Sequence, residues 1–345
     1  MDDTTRFASV PPRTAEALTP AQRPLRGRLV LGVALSLVAL LVGGALSWTD
    51  TTRVADRRAE PPGQLRSSPR QLPVIVESVG SRETHRSFLP RPSIRARAGI
   101  LIELSTGAVL FEKHPDQPRP IASLTKIMTA LLVLERDPHL SGTVPISPRA
   151  ARQDPIDVGL ATGKRVKVRD LMYGLLLRSG NDAAVALAEY VSGSVPRFLH
   201  LMNARARELG LEHTRFATPN GLSDKGYSTA REVAILARAA LQDERFAELV
   251  RTKRYTIHSR AVTVRRLRNL NGLLTSFPGT FGVKTGYTHA AGECVAAAAR
   301  RGGEELLAVV LGDPVVPNWR AAYGDAANLL DYGFALSKVR RSAPQ

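Results

Sequence analysis

Two apolar, β-prone runs early in the chain and three more near its end enclose a long stretch of helical periodicity, and this arrangement limits the folds open to it. Residues 98–104 (AGILIEL) and 109–112 (VLFE) lie either side of Ser105-Thr106-Gly107, a pattern that predicts a hairpin. Strand patterns return at 281–284, 293–299 and 305–311. Between them, helical spacing predicts helices over 123–135, 168–177, 182–191, 196–209 and 228–242, and a last helix follows over 319–334. Gly210 would close the fourth helix and Ser228 would cap the fifth. Strands contributed by both ends of one segment, with helices inserted, predict an antiparallel sheet under a helical layer. The expected class is therefore α+β, with its α and β parts arranged in layers.

The 345 residues suffice for one large or two medium domains with a real core. Residues 29–48 (LVLGVALSLVALLVGGALSW) carry no charge and match the length that an α-helix needs to cross a ~30 Å hydrocarbon core. Arg23, Arg26 and Arg28 precede this run, and a mixed set including Asp50, Asp56, Arg57 and Glu60 follows it. By the positive-inside rule, 1–28 is a cytoplasmic segment, 29–48 an anchor, and the remainder is exported into the envelope, so the expected location is the bacterial cell membrane. A cleaved signal peptide is the competing expectation, but the apolar core is long for one and no clean A-x-A site follows. Residues 49–93, rich in Pro, Arg, Ser and Glu, read as a linker. The folded domain is expected over 94–336, with 337–345 as a basic tail.

The chain has 48 Lys+Arg against 31 Asp+Glu, a net charge of +17, which suits a polyanion: nucleic acid, an anionic membrane or an acidic wall polymer. The basic residues are spread along the chain, and no nucleic-acid module accompanies them, so nucleic acid is not an expected partner. Cys294 is the one cysteine, which excludes an intramolecular disulfide, and it reads as a small core residue. The seven histidines include no close pair with ligand spacing. His213, His258 and His289 read as structural or surface residues, and neither a metal nor a cofactor is expected.

Serine is a weak nucleophile at neutral pH unless a base stands beside it. In Ser123-Leu124-Thr125-Lys126 the serine and the lysine are three residues apart, on one helix face and about 4.5 Å apart along the axis. A buried Lys126 with a second cation nearby would have its pKa lowered toward the value a general base needs. S-x-x-K alone is weak evidence. Two further elements strengthen it: Ser179-Gly180-Asn181, a turn between two predicted helices, and Lys284-Thr285-Gly286, which ends an apolar strand. The order S-x-x-K, S-x-N, K-T-G is the three-part signature of the penicillin-recognising serine enzymes.

With these motifs, residues 122–130, 179–183, 203–211, 218–222, 228–231 and 284–288 resemble the D-alanyl-D-alanine carboxypeptidase family of low-molecular-mass penicillin-binding proteins, over roughly 94–334. The resemblance implies a β-lactamase/transpeptidase-like fold. It makes Ser123 the acylated nucleophile, Lys126 its base, and Ser179 with Asn181 the pair that shuttles protons and orients substrate. Lys284 would supply positive potential and Thr285 would hold the terminal carboxylate. Gly286 and Tyr287 complete the substrate-binding strand, the N–H groups of Ser123 and Tyr287 forming an oxyanion hole. Arg320 would assist with the carboxylate. The implied substrate is a peptidoglycan stem peptide ending in D-Ala-D-Ala, and β-lactams are the implied covalent inhibitors. Oligomeric state is left open.

Three rivals share these parts. A class A β-lactamase needs a deacylating glutamate in an E-x-x-L-N element, a pattern that Glu212 lacks. A D,D-endopeptidase acting on cross-links would use the same catalytic residues. A catalytically silent wall-binding scaffold would be expected to have lost one of them, and all are present.

Overall fold

The computed structural model describes residues 89–315 and 320–342. The apolar run at 29–48, the linker, and the short apolar piece at 72–79 lie outside the described residues. No helix among the described residues is long and apolar enough to cross a membrane.

Five strands form the central sheet: β1 (Ala98–Glu103), β2 (Val109–Lys113), β7 (Thr280–Thr288), β8 (Gly292–Arg301) and β9 (Glu304–Asp313), in the order β2-β1-β9-β8-β7, all antiparallel. Strands from the two ends of the domain thus meet where β1 pairs with β9, with Ile100 opposite Val309 and Ile102 opposite Leu307. Alternation sorts the side chains onto two buried faces. Ile100, Ile102, Ala296, Ala298, Leu307 and Val309 face the helical layer, whereas Leu101, Val295, Ala297, Leu306, Ala308 and Val310 face the other side. Because both faces are covered, these strands read as continuous apolar runs.

The inserted layer contains α1 (Lys126–Arg136), α3 (Val168–Leu177), α4 (Asn181–Ser192), α5 (Val195–Glu208), α6 (Ala230–Leu241) and α7 (Glu244–Arg251), with the short helix α2 (Pro148–Ala151), whereas the short helix α8 (Leu273–Ser276) packs into the core on the other face of the sheet. Helix α1 runs through the middle of this layer, packed against α3, α4, α5, α6 and α7, and every residue from Lys126 to Leu134 is buried. Two small two-stranded sheets lie outside the main one: β3 (Thr143–Pro145) with β4 (Arg165–Lys167), and β5 (Arg254–Thr256) with β6 (Arg266–Arg268). Helix α9 (Arg320–Ser342) covers the second face of the main sheet.

Three local expectations are corrected. The helix expected to begin at Ser123 opens as a 3-10 turn, Ala122–Thr125, and becomes α-helical only at Lys126. Thr229, not Ser228, caps α6: its side chain accepts from the Glu232 N–H. Ser228 is instead drawn into a hydroxyl pair with Thr214. Helix α9 runs to Ser342, eight residues beyond the expected end at Phe334, so the segment read as a basic tail is largely helical. The last turns have little apolar periodicity to reveal them. They are supported by Arg340 and Arg341 at the helix C-terminus, where cations favour the dipole, and by the Arg341–Glu304 ion pair at 2.9 Å.

Candidate active site

The central geometry comes from the burial of α1. Lys126 is its first residue and is fully enclosed, so its charge must be met locally or lost. Its Nζ donates to Ser123 Oγ at 2.8 Å, to Asn181 Oδ1 at 2.9 Å and to the Asn220 carbonyl at 2.7 Å. Burial, and then the neighbouring Lys284, holds the Lys126 pKa well below the usual lysine value, with Asp182 pulling the other way. A neutral amine has two N–H bonds and one lone pair. In that neutral form, with the N–H bonds kept on Asn181 and Asn220, the lone pair would fall to the Ser123 hydroxyl. This is the geometry a nucleophile and its base require, a hydroxyl and an amine at hydrogen-bond distance with the amine oriented by two further groups.

Ser123 sits half-buried in the 3-10 turn, one residue after Ala122, whose φ is +46°. Two glycines allow other segments to close on this turn. Gly286 of β7 lies so near that a Cβ there would come within 2.7 Å of the Ser123 amide nitrogen and 3.1 Å of both the Ile121 oxygen and the Leu124 nitrogen. Gly221, at φ +80°, backs onto Ala122, and a Cβ there would overlap its carbonyl oxygen at 1.9 Å. The loop carrying Asn220 is held to α1 by the Thr129 hydroxyl, which donates to the Pro219 carbonyl at 2.7 Å.

On the second wall, Ser179 and Asn181 occupy the turn between α3 and α4. Asn181 is buried; besides accepting from Lys126, its Nδ2 donates to the Asp154 carbonyl at 3.3 Å. Ser179 is buried at φ +65°, a left-handed conformation that costs a non-glycine residue on the order of 1–3 kcal/mol, and its Oγ has no hydrogen-bond partner among the described residues. A strained, unpaired hydroxyl two residues from the lysine's acceptor suits a group that works on substrate.

The third wall is β7. Lys284 and Thr285 are both buried, and Lys284 Nζ donates to the Thr285 carbonyl at 2.7 Å. Burial pushes the Lys284 pKa down to about 7. Tyr287, three positions after Lys284, is exposed, and its hydroxyl lies 3.2 Å from His289 Nδ1.

All three motifs are thus gathered around Ser123. The side chain of Arg320 lies outside the described residues. Glu212 is exposed and takes no part in Lys126's hydrogen bonding. His213, His258 and His289 are also exposed, and Cys294 is buried in β8, where burial pushes its thiol up to about 12. A cavity of about 630 Å³, lined by Arg238, Gln242, Arg251, Phe281 and Arg300, lies toward the Thr280 end of β7 and holds none of the signature residues.

Motif reasoning missed two contributors. The Asn220 carbonyl is a main-chain group, invisible to side-chain patterns; the Asn220-Gly221 turn was its only signal. Asp182, one residue beyond the S-x-N motif, is buried and accepts from the backbone N–H groups of Val158, Leu160 and Ala183 at 2.8–3.1 Å, tying the 158–160 loop to the start of α4.

Comparison with known proteins agrees with this geometry. The sequence model of the peptidase S11 family, described as D-alanyl-D-alanine carboxypeptidase, matches residues 85–315. The chain is 38% identical over 270 residues to the D-alanyl-D-alanine carboxypeptidase of Streptomyces sp. (strain K15), covering 73% of this chain and 92% of that one. It is 38% identical over 247 residues to D-alanyl-D-alanine carboxypeptidase DacF of Bacillus subtilis, where the match covers 70% of this chain but spans only 62% of the relative's length. The crystal structure of the Streptomyces K15 DD-transpeptidase superposes with a TM-score of 0.67 at 36% identity, over 72% of this chain and all of that one. With the family model matching most of the chain and the three motifs converging on Ser123, the chain belongs to the D-alanyl-D-alanine carboxypeptidase family of serine peptidases.

Proposed function

We propose that this protein is a serine-type D-Ala-D-Ala carboxypeptidase that removes the terminal D-alanine from peptidoglycan stem pentapeptides through an acyl-enzyme on Ser123. The observation that carries the proposal is the buried Lys126 amine, held by Asn181 and the Asn220 carbonyl at 2.8 Å from Ser123 Oγ.

Ser123 Oγ attacks the carbonyl carbon of the penultimate D-alanine while its proton passes to Lys126 Nζ. Negative charge gathers on the former carbonyl oxygen, where the backbone N–H groups of Ser123 and Tyr287 stabilise it; the approach of Gly286 to the Ser123 amide supports that pairing. The intermediate collapses, the C–N bond breaks, and the departing D-alanine nitrogen takes up a proton relayed from Lys126 through the Ser179 hydroxyl. Water then attacks the ester, giving its proton to Lys126, and the serine oxygen leaves and is reprotonated. Asn181 positions both lysine and substrate, and Lys284 with Thr285 draws in the terminal carboxylate. β-Lactams, which resemble the dipeptide terminus, acylate the same serine.

The uncharged run at 29–48 and the arginines before it support a single-pass anchor that presents the domain to the wall. The test incubates the protein with purified stem pentapeptide and with cross-linked dimer, following products by mass. Loss of one D-alanine from the pentapeptide, abolished in Ser123→Ala, is expected. Cleavage of the dimer alone would replace this proposal with an endopeptidase.

A further inference from the structure

Although basic residues are spread along the sequence, the fold concentrates some of them. From Leu249 to Gly292 there is no Asp or Glu, and this stretch contains the β5–β6 hairpin. Lys253, Arg254, Arg260, Arg265, Arg266 and Arg268 are all exposed, and none forms an ion pair among the described residues. In the ladder, Arg254 stands directly opposite Arg268 and Thr256 opposite Arg266. Like charges opposed across two strands destabilise a hairpin unless an anion lies over them. The alternate residues turn inward: Leu267 is buried, and Tyr255 stacks on Tyr173 at 3.7 Å and donates to Asp170 Oδ1 at 2.8 Å, which occupies the nearby carboxylate. The outer face is therefore a cationic platform fixed from beneath by a tyrosine stack.

The platform is joined to the site's walls. Following β6, the Leu270 N–H donates to the carbonyl of Leu177, two residues before Ser179, and Asn271 Nδ2 donates to that of Gly282, two residues before Lys284. A chain held on the hairpin would lie beside the cleft.

We propose that the β5–β6 hairpin binds a linear, phosphodiester-linked polymer of the cell envelope and so holds the catalytic domain against the wall material it trims. The envelope as the source rests on the carboxypeptidase reading above. Guanidinium groups pair with phosphate oxygens bidentately, and a row of them suits a repeating phosphate. The outer strand positions carry Arg254, Thr256, Arg266 and Arg268, with no aromatic or aliphatic side chain to enter an acyl boundary, which favours a soluble polyanion over a bilayer surface.

The experiment uses the full chain in detergent and reads binding to fluorescent poly(glycerol phosphate) by anisotropy across a salt series. Acylation of Ser123 by a fluorescent penicillin is read in parallel. The triple variant Arg254→Ser/Arg266→Ser/Arg268→Ser is expected to bind at least ~10-fold more weakly, with a salt slope lower by about two to three, because each phosphate contact contributes somewhat less than one unit. Its penicillin acylation is expected to stay at the parent's value, and its melting temperature to match or exceed the parent's. Restoring the charge as Arg254→Lys/Arg266→Lys/Arg268→Lys recovers most of the affinity. Unchanged binding in the serine variant overturns the proposal, as does tighter binding of the parent to anionic phospholipid vesicles or to an oligonucleotide of equal phosphate number. Because binding is read without turnover, failure to release D-alanine would count against the carboxypeptidase reading alone.

Discussion

The contact between Gly286 and the nucleophile's own backbone makes Gly286→Ala the sharpest test of the site. A Cβ at this position would lie 2.7 Å from the Ser123 nitrogen, whereas ordinary contact begins near 3.4 Å, so strand and turn must part by about 0.7 Å (3.4 − 2.7). The neighbouring distances of 3.1 Å, to the Ile121 oxygen and the Leu124 nitrogen, give no direction in which the methyl group escapes, since all three obstructing atoms belong to the backbone. The whole displacement therefore falls on the spacing between the Ser123 turn and β7, across which the carbonyl must be gripped. Misplacing reacting groups by about 1 Å costs on the order of 100-fold in rate, and overpacking costs about 1–3 kcal/mol in stability. The expected result is a 10- to 100-fold fall in the second-order rate constant for acylation by a fluorescent penicillin, with a lower melting temperature but a folded protein. Acylation within twofold of the parent would refute the claim that this approach sets the geometry of attack.

Three further outcomes follow from buried groups. In Lys284→Gln the cation that helps depress the Lys126 pKa is gone, so Lys126 keeps its proton to higher pH; the rising limb of the acylation profile moves upward, and the alkaline decline that tracks Lys284 near pH 7 disappears. A purely structural role would lower the rate while leaving the profile in place. Ser179→Gly relieves the left-handed strain and removes a hydroxyl with no partner among the described residues, so thermal melts should show unchanged or raised stability while acylation falls by about 100-fold. Burial, together with the nearby Asp325 and Glu293 carboxyls, raises the Asp313 pKa. Because the folded form holds this proton more tightly than the unfolded form, its stabilising effect is complete below about pH 4 and is lost as pH rises through the raised value. Melting curves from pH 5 to 9 should fall with pH more steeply in the parent than in Asp313→Asn.

Much of the sheet and of the site could be read from sequence because their signals are local. Ser123 and Lys126 are three residues apart, so helix geometry pairs them without knowledge of the rest of the fold. The runs that became β1, β8 and β9 are apolar enough to be recognised as strands, although their cover on both faces was not foreseen. The contacts that were missed are long-range. Asn220 reaches Lys126 through its carbonyl across 94 residues, and a backbone oxygen leaves no trace in a residue pattern. The KTG glycine could be matched to a motif, but its reason for being glycine is a turn some 160 residues earlier. The end of α9 escaped for a different reason, since its last turns carry few of the buried side chains that make helical periodicity visible.

The same burial that makes α1 the middle of the helical layer also suits Lys126 to the proposed role of base. A helix exposed on one side would let water reach the amine and favour its charged form. Enclosing every residue from Lys126 to Leu134 removes that solvent, and Lys284 then tilts the remaining balance further toward the neutral form. The protein must supply substitutes for the lost hydration, and the Asn181 side chain and the Asn220 carbonyl are those substitutes. Both are held in place at some distance: Asn181 opens α4, whose start Asp182 ties to the 158–160 loop, and Thr129 pins the Pro219 carbonyl next to Asn220. The catalytic role proposed for Ser123 therefore depends on how the entire helical layer packs, which is why a motif of four residues could suggest it but could not by itself establish it.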